Sequence, residues 1–260
     1  LSMRAFSIDA ADIIVVLATA LSLQWAMSMI FACRFEPKSA LITSLSLILL
    51  LRTDGLTMLA AAAAVAIGSK FLIRFCGKHV FNPANIGIVV VTVMSESAWT
   101  TPGQWGTALW LAALIAGAGF FVSYRAARLD VPVIFLGAYA ALIIARALWL
   151  GDPLDIPFLR LQNGALVLFA FFMISDPKTT PDGFIARAIF AAGAALIAYV
   201  LTYHFFMPDG IFYALAIACA LRPFVEMFDH TAHYQWGDRP AAFGAQRKPP
   251  RRQTPLAPAE

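Results

Sequence analysis

The chain has 260 residues, of which 60% are hydrophobic and 13% are charged, and its formal net charge is +4. A soluble domain of this length cannot bury so much apolar surface, so the mean hydropathy of +0.75 excludes an ordinary soluble enzyme. The basic residues lie mostly in loops and near the C-terminus without a nucleic-acid-binding motif, so we expect no nucleic-acid partner. The predicted surroundings of the chain are a lipid bilayer.

Successive apolar runs, rich in Leu, Ala and Phe with little alternation, predict helical spans rather than the strands of a barrel. The second and fourth runs are too short for a full crossing and predict broken or half-membrane helices. We therefore expect an all-α polytopic membrane protein with about nine or ten transmembrane helices. The predicted spans are Ala11–Phe31, Ser39–Leu51, Gly55–Ile73, Val80–Met94, Gly106–Ser123, Val131–Leu150, Phe158–Ile174, Ala186–Phe206 and Ile211–Phe228.

Positive charge recurs in every second connection, which is the pattern of cytoplasmic loops in membrane proteins. The C-terminus is thus predicted to lie in the cytoplasm, and the expected location of the chain is a bacterial plasma membrane. Residues 1–230 form one predicted transmembrane domain, and 231–260 form a predicted disordered cytoplasmic tail. The basic residues of these connections and of the tail are Arg34, Lys38, Lys70, Arg74, Lys78, Arg125, Arg128, Lys178, Arg187, Arg239, Arg247, Lys248, Arg251 and Arg252.

Two segments of the chain resemble each other and predict an internal duplication. The steps from Asn85 to Ser97 and from Asn163 to Ser175 are both roughly 12 residues, and both copies then reach a Thr-Thr-Pro sequence. The loop charges place the two copies in opposite directions across the membrane. We therefore expect an inverted repeat, with approximate halves at 1–124 and 125–230.

The polar residues of these two segments are candidate binding residues. Asn82, Asn85 and Asn163 stand at predicted helix starts, where an amide either caps the helix or faces a ligand near the bilayer midplane. Asp176 before Pro177 either stops a helix or binds a cation or a ring. Thr179 and Thr180 offer hydroxyl groups to the same corner, either to backbone groups or to a ligand.

Three basic residues, Lys70, Arg74 and Lys78, recur at a spacing of four, which predicts one helical face running toward the cytoplasm. Such side chains either extend to lipid phosphates or hold the phosphate of a cofactor. No pattern of catalytic residues or metal ligands is predicted.

The segment Phe171-Phe172-Met173-Ile174-Ser175-Asp176-Pro177-Lys178-Thr179-Thr180-Pro181 resembles the Phe-(Met/Ile)-Ala-Thr-Asp-Pro signature of the NqrB/RnfD family, and Phe81-Asn82-Pro83-Ala84 resembles the family's Phe-Asn-Pro-Ala segment. The family comprises membrane subunits of the sodium-pumping NADH:quinone reductase and of the Rnf electron transport complex. The resemblance implies an inverted-repeat bundle similar to urea transporters. It also implies riboflavin or FMN as cofactor, and other membrane or redox subunits as partners.

One loop departs from the family pattern. Members that carry covalent FMN attach it to a threonine in a Ser-Gly-Ala-Thr-type loop, whereas this chain has Ser97-Ala98-Trp99-Thr100-Thr101-Pro102. By position, Thr100 or Thr101 is the candidate acceptor and Trp99 a candidate stacking partner for the ring. Because the Gly-Ala-Thr core is missing, the resemblance favours a noncovalent flavin over a covalent one.

Three functions remain open from the sequence. The first is an electron-transport subunit that binds flavin and passes electrons within the membrane, with or without coupled ion movement. The second is a flavin-free transporter or channel of the same fold, as suspected for UnbU-like relatives, and the third is a structural or assembly subunit. Whether the chain is itself an enzyme is open, and at most it is one subunit of an oxidoreductase.

Overall fold

A computed structural model of the chain describes residues 9–75, 77–100 and 109–226, apart from the side chains of 109–115. This part of the chain is a bundle of helices with two short two-stranded sheets. The predicted 231–260 tail lies outside the described residues. In chain order the elements are α1 (Ala10–Ile30), α2 (Pro37–Leu50), β1 (Leu51–Thr53), α3 (Leu56–Leu72), β2 (Arg74–Phe75), β3 (Lys78–His79), α4 (Pro83–Met94), β4 (Ala98–Thr100), α5 (Leu109–Arg125), α6 (Asp130–Leu150), α7 (Asp155–Leu161), α8 (Gly164–Leu168), the π-helix π1 (Phe169–Met173), α9 (Phe184–Tyr203) and α10 (Gly210–Glu226).

Helices α1, α6 and α9 are long and apolar enough to cross a membrane, with 20 or 21 residues each. Helix α7 and the helical segment Gly164–Met173 make a fourth candidate span if the pair, bent by 49°, is counted as one. Helices α2, α3 and α4 are apolar but shorter. The helical membrane class is therefore confirmed, whereas the nine or ten crossings and the inverted repeat stay predictions.

The predicted seventh span is wrong as a continuous helix. The structure divides it between α7 and α8, because Asn163 has extended backbone angles (φ −73°, ψ 121°) and caps the start of α8. The helix then widens into π1, whose last residue is Met173. A π-helical turn of this kind often marks a functional segment.

The predicted helical face of Lys70, Arg74 and Lys78 is also wrong. Helix α3 ends at Leu72, and the chain then forms a hairpin in which Arg74 pairs with His79 and Phe75 with Lys78. Gly77 in the turn has a φ of +79°, which a glycine adopts without a steric cost. As a result, Lys70 lies on a helix while Lys78 lies on a strand.

Small residues allow the helices to approach closely, as expected where lipid surrounds the bundle. A Cβ atom added to Gly87 of α4 would stand 2.6 Å from the carbonyl oxygen of Ala62 and 3.0 Å from the Cβ of Ala66, both on α3. Helix α9 packs against α6 and α10. The face of α9 that meets these neighbours is formed by the buried residues Ala191, Ala194, Ala195 and Ala198.

A second strand pair is formed by the segments that directly follow α2 and α4. Strand β1 runs antiparallel to β4, with Leu51 opposite Thr100 and Thr53 opposite Ala98. This pairing holds the turn before α3 beside the segment that follows α4. It thereby positions the predicted flavin-attachment loop next to the start of α1 and α3.

Candidate functional site

The corner after π1 is closed by its own hydrogen bonds. The carbonyl oxygen of Asp176 accepts from the backbone N–H groups of Thr179 and Thr180, both at 3.0 Å, and from their hydroxyl groups, both at 3.1 Å. The Oδ1 atom of Asp176 accepts from the N–H of Lys178 at 3.0 Å, as in an Asx-turn. Thr179 and Thr180 are fully buried, so their hydroxyls serve the turn itself.

The hairpin packs its buried His79 against this corner. The Nε2 atom of His79 lies 3.4 Å from Oδ2 of Asp176. Burial alone raises the pKa of Asp176, but the hydrogen bond from His79 and the backbone N–H of Lys178 outweigh it and leave the pKa below its ordinary value. Asp176 is therefore held as a carboxylate between two segments distant in sequence.

A cluster of charges next to the corner joins both halves of the chain. The Lys78 ammonium lies 2.8 Å from Oδ2 of Asp182, and Nη2 of Arg128 lies 3.1 Å from Oδ1 of the same carboxylate. The Nε of Arg128 also donates to the Thr180 hydroxyl at 3.3 Å. Lys78 thus forms an ion pair with an aspartate, and its role in holding a phosphate stays a prediction.

Arg222 of α10 is fully buried beneath this cluster. Its Nη1 donates to the carbonyl oxygen of Lys178 at 2.8 Å and to that of His79 at 3.5 Å, and its Nε lies 3.7 Å from Glu226. The spacing of four predicts the Arg222–Glu226 pair, and the structure confirms it. No local pattern indicates that the guanidinium also joins the hairpin to the corner, although a cation inside an apolar helix indicates a buried partner.

The asparagines cap and connect helices. Asn82 and Asn163 occupy the N-cap positions of α4 and α8, where their side chains accept from the backbone N–H groups of Asn85 and Ala165. The Nδ2 of Asn82 also donates to the carbonyl oxygen of Met173 at 3.2 Å. Asn85 instead donates to the carbonyl oxygen of Phe212 at 3.0 Å. Asn82 and Asn163 thus share an N-cap role that Asn85 does not have.

Lys70 makes its hydrogen bonds outside this corner, although its charge interacts with those of Lys178 and Asp176. Its Nζ donates to Oε1 of Gln24 at 2.8 Å and to the Ser39 hydroxyl at 2.9 Å, and the residue is 5% exposed. Because its hydrogen-bond partners are on α1 and near the start of α2, Lys70 joins the first three helices.

On the opposite face of the bundle, the Thr100 hydroxyl donates to the carboxylate of Asp209, which precedes α10. Burial raises the pKa of Asp209 above its ordinary value, although the hydrogen bonds from Thr100 lower it in part. Thr100 is buried, so its oxygen is poorly placed to carry a phosphoester. Thr101, the other predicted acceptor, lies outside the described residues.

A cavity of about 430 Å³ opens beside Thr100. Its wall includes one face of Trp99, a residue that is 42% exposed, and the side chain of Arg52. Apolar side chains of α1, α2, β1 and α3 also line it, together with Thr53 and the carboxylates of Asp9, Asp12 and Asp54. The Trp99 side chain suits a flat ring, whereas three carboxylates against one guanidinium do not suit a phosphate.

Within the described part of the chain, the predicted site residues do not share one set of contacts. Hydrogen bonds connect Lys78, Asn82, Asp176, Thr179 and Thr180 to one shared corner, but with internal partners. Asn85, Asn163, Lys70 and Thr100 each contact a different part of the bundle.

The fold and these buried polar contacts define a multi-pass helical membrane protein. A model of the NQR2, RnfD, RnfE family matches residues 97–235, which is more than half of the chain. The chain belongs to this family. The match includes Thr100, Asn163, Asp176, Thr179 and Thr180, whereas Lys70, Lys78, Asn82 and Asn85 precede it.

Two relatives are named as a subunit of an ion-translocating oxidoreductase complex. The one from Citrobacter koseri is 30% identical over 131 residues, which is 50% of this chain and 36% of the relative. The one from Escherichia coli O1:K1 is 29% identical over 142 residues, which is 55% of this chain and 38% of the relative. The matched region thus spans less than two fifths of each relative's length.

Proposed function

We propose that the chain is a membrane subunit of an ion-translocating oxidoreductase complex and that it passes electrons within the bilayer. The observation that carries this proposal is its membership in the NQR2, RnfD, RnfE family, together with the names of its relatives. Other membrane or redox subunits are its proposed partners, and they supply the electron donor and acceptor.

The proposed cofactor is a flavin held without a covalent bond in the cavity beside Trp99. Trp99 and the apolar side chains of α1 and α3 would hold its ring, and Arg52 would donate to its polar edge. The carboxylates of the cavity favour riboflavin over FMN because riboflavin carries no phosphate. A bound flavin would supply the electron transfer, and the protein would position the ring and exclude water.

The flavin proposal is tested by replacing the aromatic wall. In Trp99→Leu we expect about fivefold weaker flavin binding, because stacking on an aromatic ring contributes roughly 1 kcal/mol. Trp149→Leu is the matched control, since Trp149 is 89% exposed at the end of α6. The measurement is flavin absorbance per protein at about 450 nm, followed by fluorescence on a denaturing gel. Equal amounts of bound flavin in the two variants would contradict the proposed position of the flavin.

A flavin-free transporter is the second candidate, and one observation favours it. The predicted flavin residues Asp176, Thr179 and Thr180 bond to the turn and to the hairpin. A purified protein without flavin absorbance would support this candidate, and flux of a solute into vesicles would separate it from an assembly subunit.

The proposed placement is a bacterial inner membrane with the C-terminus in the cytoplasm, and the proposed architecture is an inverted repeat. The matching N-cap roles of Asn82 and Asn163, each at the start of a short helix, support the repeat.

A further inference from the structure

We propose that the chain binds the headgroup of an anionic phospholipid between the α1–α2 connection, the end of α3 and the corner at Lys178. This surface, called here the lipid cleft, contains Lys70, Arg74 and Lys178 as its cations and Phe31, Phe35, Leu72 and Phe75 as its apolar rim. It lies on the face that the loop charges predict to be cytoplasmic. It does not depend on the proposed electron transfer.

The floor of the lipid cleft is the Lys70 ammonium. Its two hydrogen-bond acceptors, Gln24 and Ser39, are both neutral. Among the described residues, no carboxylate oxygen lies within 4.0 Å of its Nζ. A buried lysine of a membrane helix is costly unless a negative charge compensates it, so this position favours an anion nearby.

Two further cations stand above Lys70. The Nε of the exposed Arg74 donates to the carbonyl oxygen of Lys70 at 2.9 Å, and its guanidinium carbon lies 5.9 Å from the centre of the Phe71 ring. The Lys178 ammonium lies 4.0 Å from Glu36. Burial lowers the pKa of Lys178, and the charge of Arg74 lowers it further, whereas Asp176 and Glu36 raise it.

The cations of the lipid cleft lie close enough together to interact. Lys70, Arg74 and Lys178 interact electrostatically with one another and with two carboxylates, those of Glu36 and Asp176. Asp176 also binds His79. The exposed Arg34 of the α1–α2 connection and the exposed Lys38 of the first turn of α2 add positive charge to this surface.

The apolar rim distinguishes a lipid from a soluble anion. Phe31, Phe35, Leu72 and Phe75 are between 36% and 67% exposed, and the Phe31 ring packs 5.7 Å from the Phe71 ring. Basic residues beside apolar side chains at the cytoplasmic ends of membrane helices are typical of sites for anionic lipid headgroups. A soluble anion would gain nothing from the apolar rim, whereas acyl chains would cover it.

The test is native mass spectrometry of the full chain in detergent, titrated with phosphatidylglycerol and, separately, with phosphatidylcholine. We expect tighter binding of phosphatidylglycerol, weakened about fivefold by Arg74→Gln and again by Lys178→Gln, because each cation near an anionic surface contributes about that factor. Arg125→Gln is the matched control, since Arg125 is exposed and lies 5.9 Å from the Phe121 ring.

Each alternative result overturns the proposal. If Arg74→Gln and Arg125→Gln weakened phosphatidylglycerol binding equally, the effect would be a general one of charge. Equal binding of both lipids would show that the headgroup is not recognised. Displacement of phosphatidylglycerol by glycerol 3-phosphate at matched concentration would identify a site for a soluble anion. Normal thermal unfolding of the variants establishes that a loss of lipid is not a loss of the fold.

Discussion

At the scale of single residues, two loop carboxylates on opposite faces of the bundle have pKa values shifted in opposite directions. The pKa of Asp176 is lowered because the hydrogen bonds of His79 and Lys178 outweigh its burial. The pKa of Asp209 is raised because burial outweighs the hydrogen bonds from Thr100. Asp176 thus stabilises the fold at neutral pH, whereas Asp209 stabilises it only in acid.

The stability contribution of Asp176 is present above the ordinary pKa of an aspartate and is lost as the pH falls through its lowered folded value. We expect Asp176→Asn to lower stability at neutral pH, by about 1–3 kcal/mol, because His79 and the N–H of Lys178 lose a charged acceptor. The difference from the native chain should shrink in acid. Thermal unfolding of the purified protein between about pH 3 and pH 7 measures it. A constant difference over this range would contradict the assigned role.

For Asp209, the expected change of stability with pH has the opposite sign. Its contribution is present below the ordinary aspartate pKa and is lost as the pH rises through the raised folded value. Asp209→Asn keeps an acceptor for the Thr100 hydroxyl and carries no charge. Relative to the native chain, this variant should therefore become more stable as the pH rises, in the same unfolding experiment. A variant that loses stability with rising pH would show that the ionised carboxylate is required.

At the scale of elements, the contact between α3 and α4 depends on one glycine. In Gly87→Ala the new Cβ would meet the carbonyl oxygen of Ala62 at 2.6 Å, so the helices must separate. We expect a loss of roughly 1–3 kcal/mol in the free energy of unfolding. Gly68→Ala on α3 is the control, because its Cβ would meet nothing within 4 Å and alanine favours a helix. Similar unfolding temperatures for the two variants would contradict the close packing.

The helices could be predicted from hydropathy because every predicted run contains one. Two interruptions were missing from the predicted spans, although Asn163 was expected at a helix start. Asn163 ends one predicted span because it caps a new helix. The spacing of four from Lys70 to Lys78 fits a helix, but the backbone between them forms a hairpin, and the spacing alone does not distinguish the two. Among the site residues, the N-cap roles of Asn82 and Asn163 followed from local rules. The partners of Lys78 and Arg222 did not, because Asp182 and the corner are distant in sequence.

At the scale of the whole molecule, the predicted orientation places the two faces of the bundle on opposite sides of the membrane. The face with the Asp176 corner and the lipid cleft would be cytoplasmic, and the face with Thr100 and the cavity would be external. The loop charges support this arrangement, and so does the pairing of β1 with β4, which joins two connections predicted to be external. Flavin and lipid would then bind at opposite faces.

A cysteine of the chain reports this orientation directly. Cys33 is exposed in the α1–α2 connection and Cys219 is buried, so a membrane-impermeant thiol reagent should modify Cys33 once Cys76 is replaced by serine. In inside-out vesicles we expect rapid modification of Cys33, because its connection is predicted to be cytoplasmic. In right-side-out vesicles it should stay unmodified until the membrane is permeabilised.

The matched control is Glu96→Cys in a chain without Cys33 and Cys76, since Glu96 is exposed in the turn between α4 and β4. It should give the reverse pattern, because an odd number of crossings separates the two positions in the predicted topology. Modification of both cysteines from the same side would mean that α2, α3 and α4 together make an even number of crossings. One of these short helices would then enter and leave the membrane on one side, and the assignment of the two faces would have to change with it.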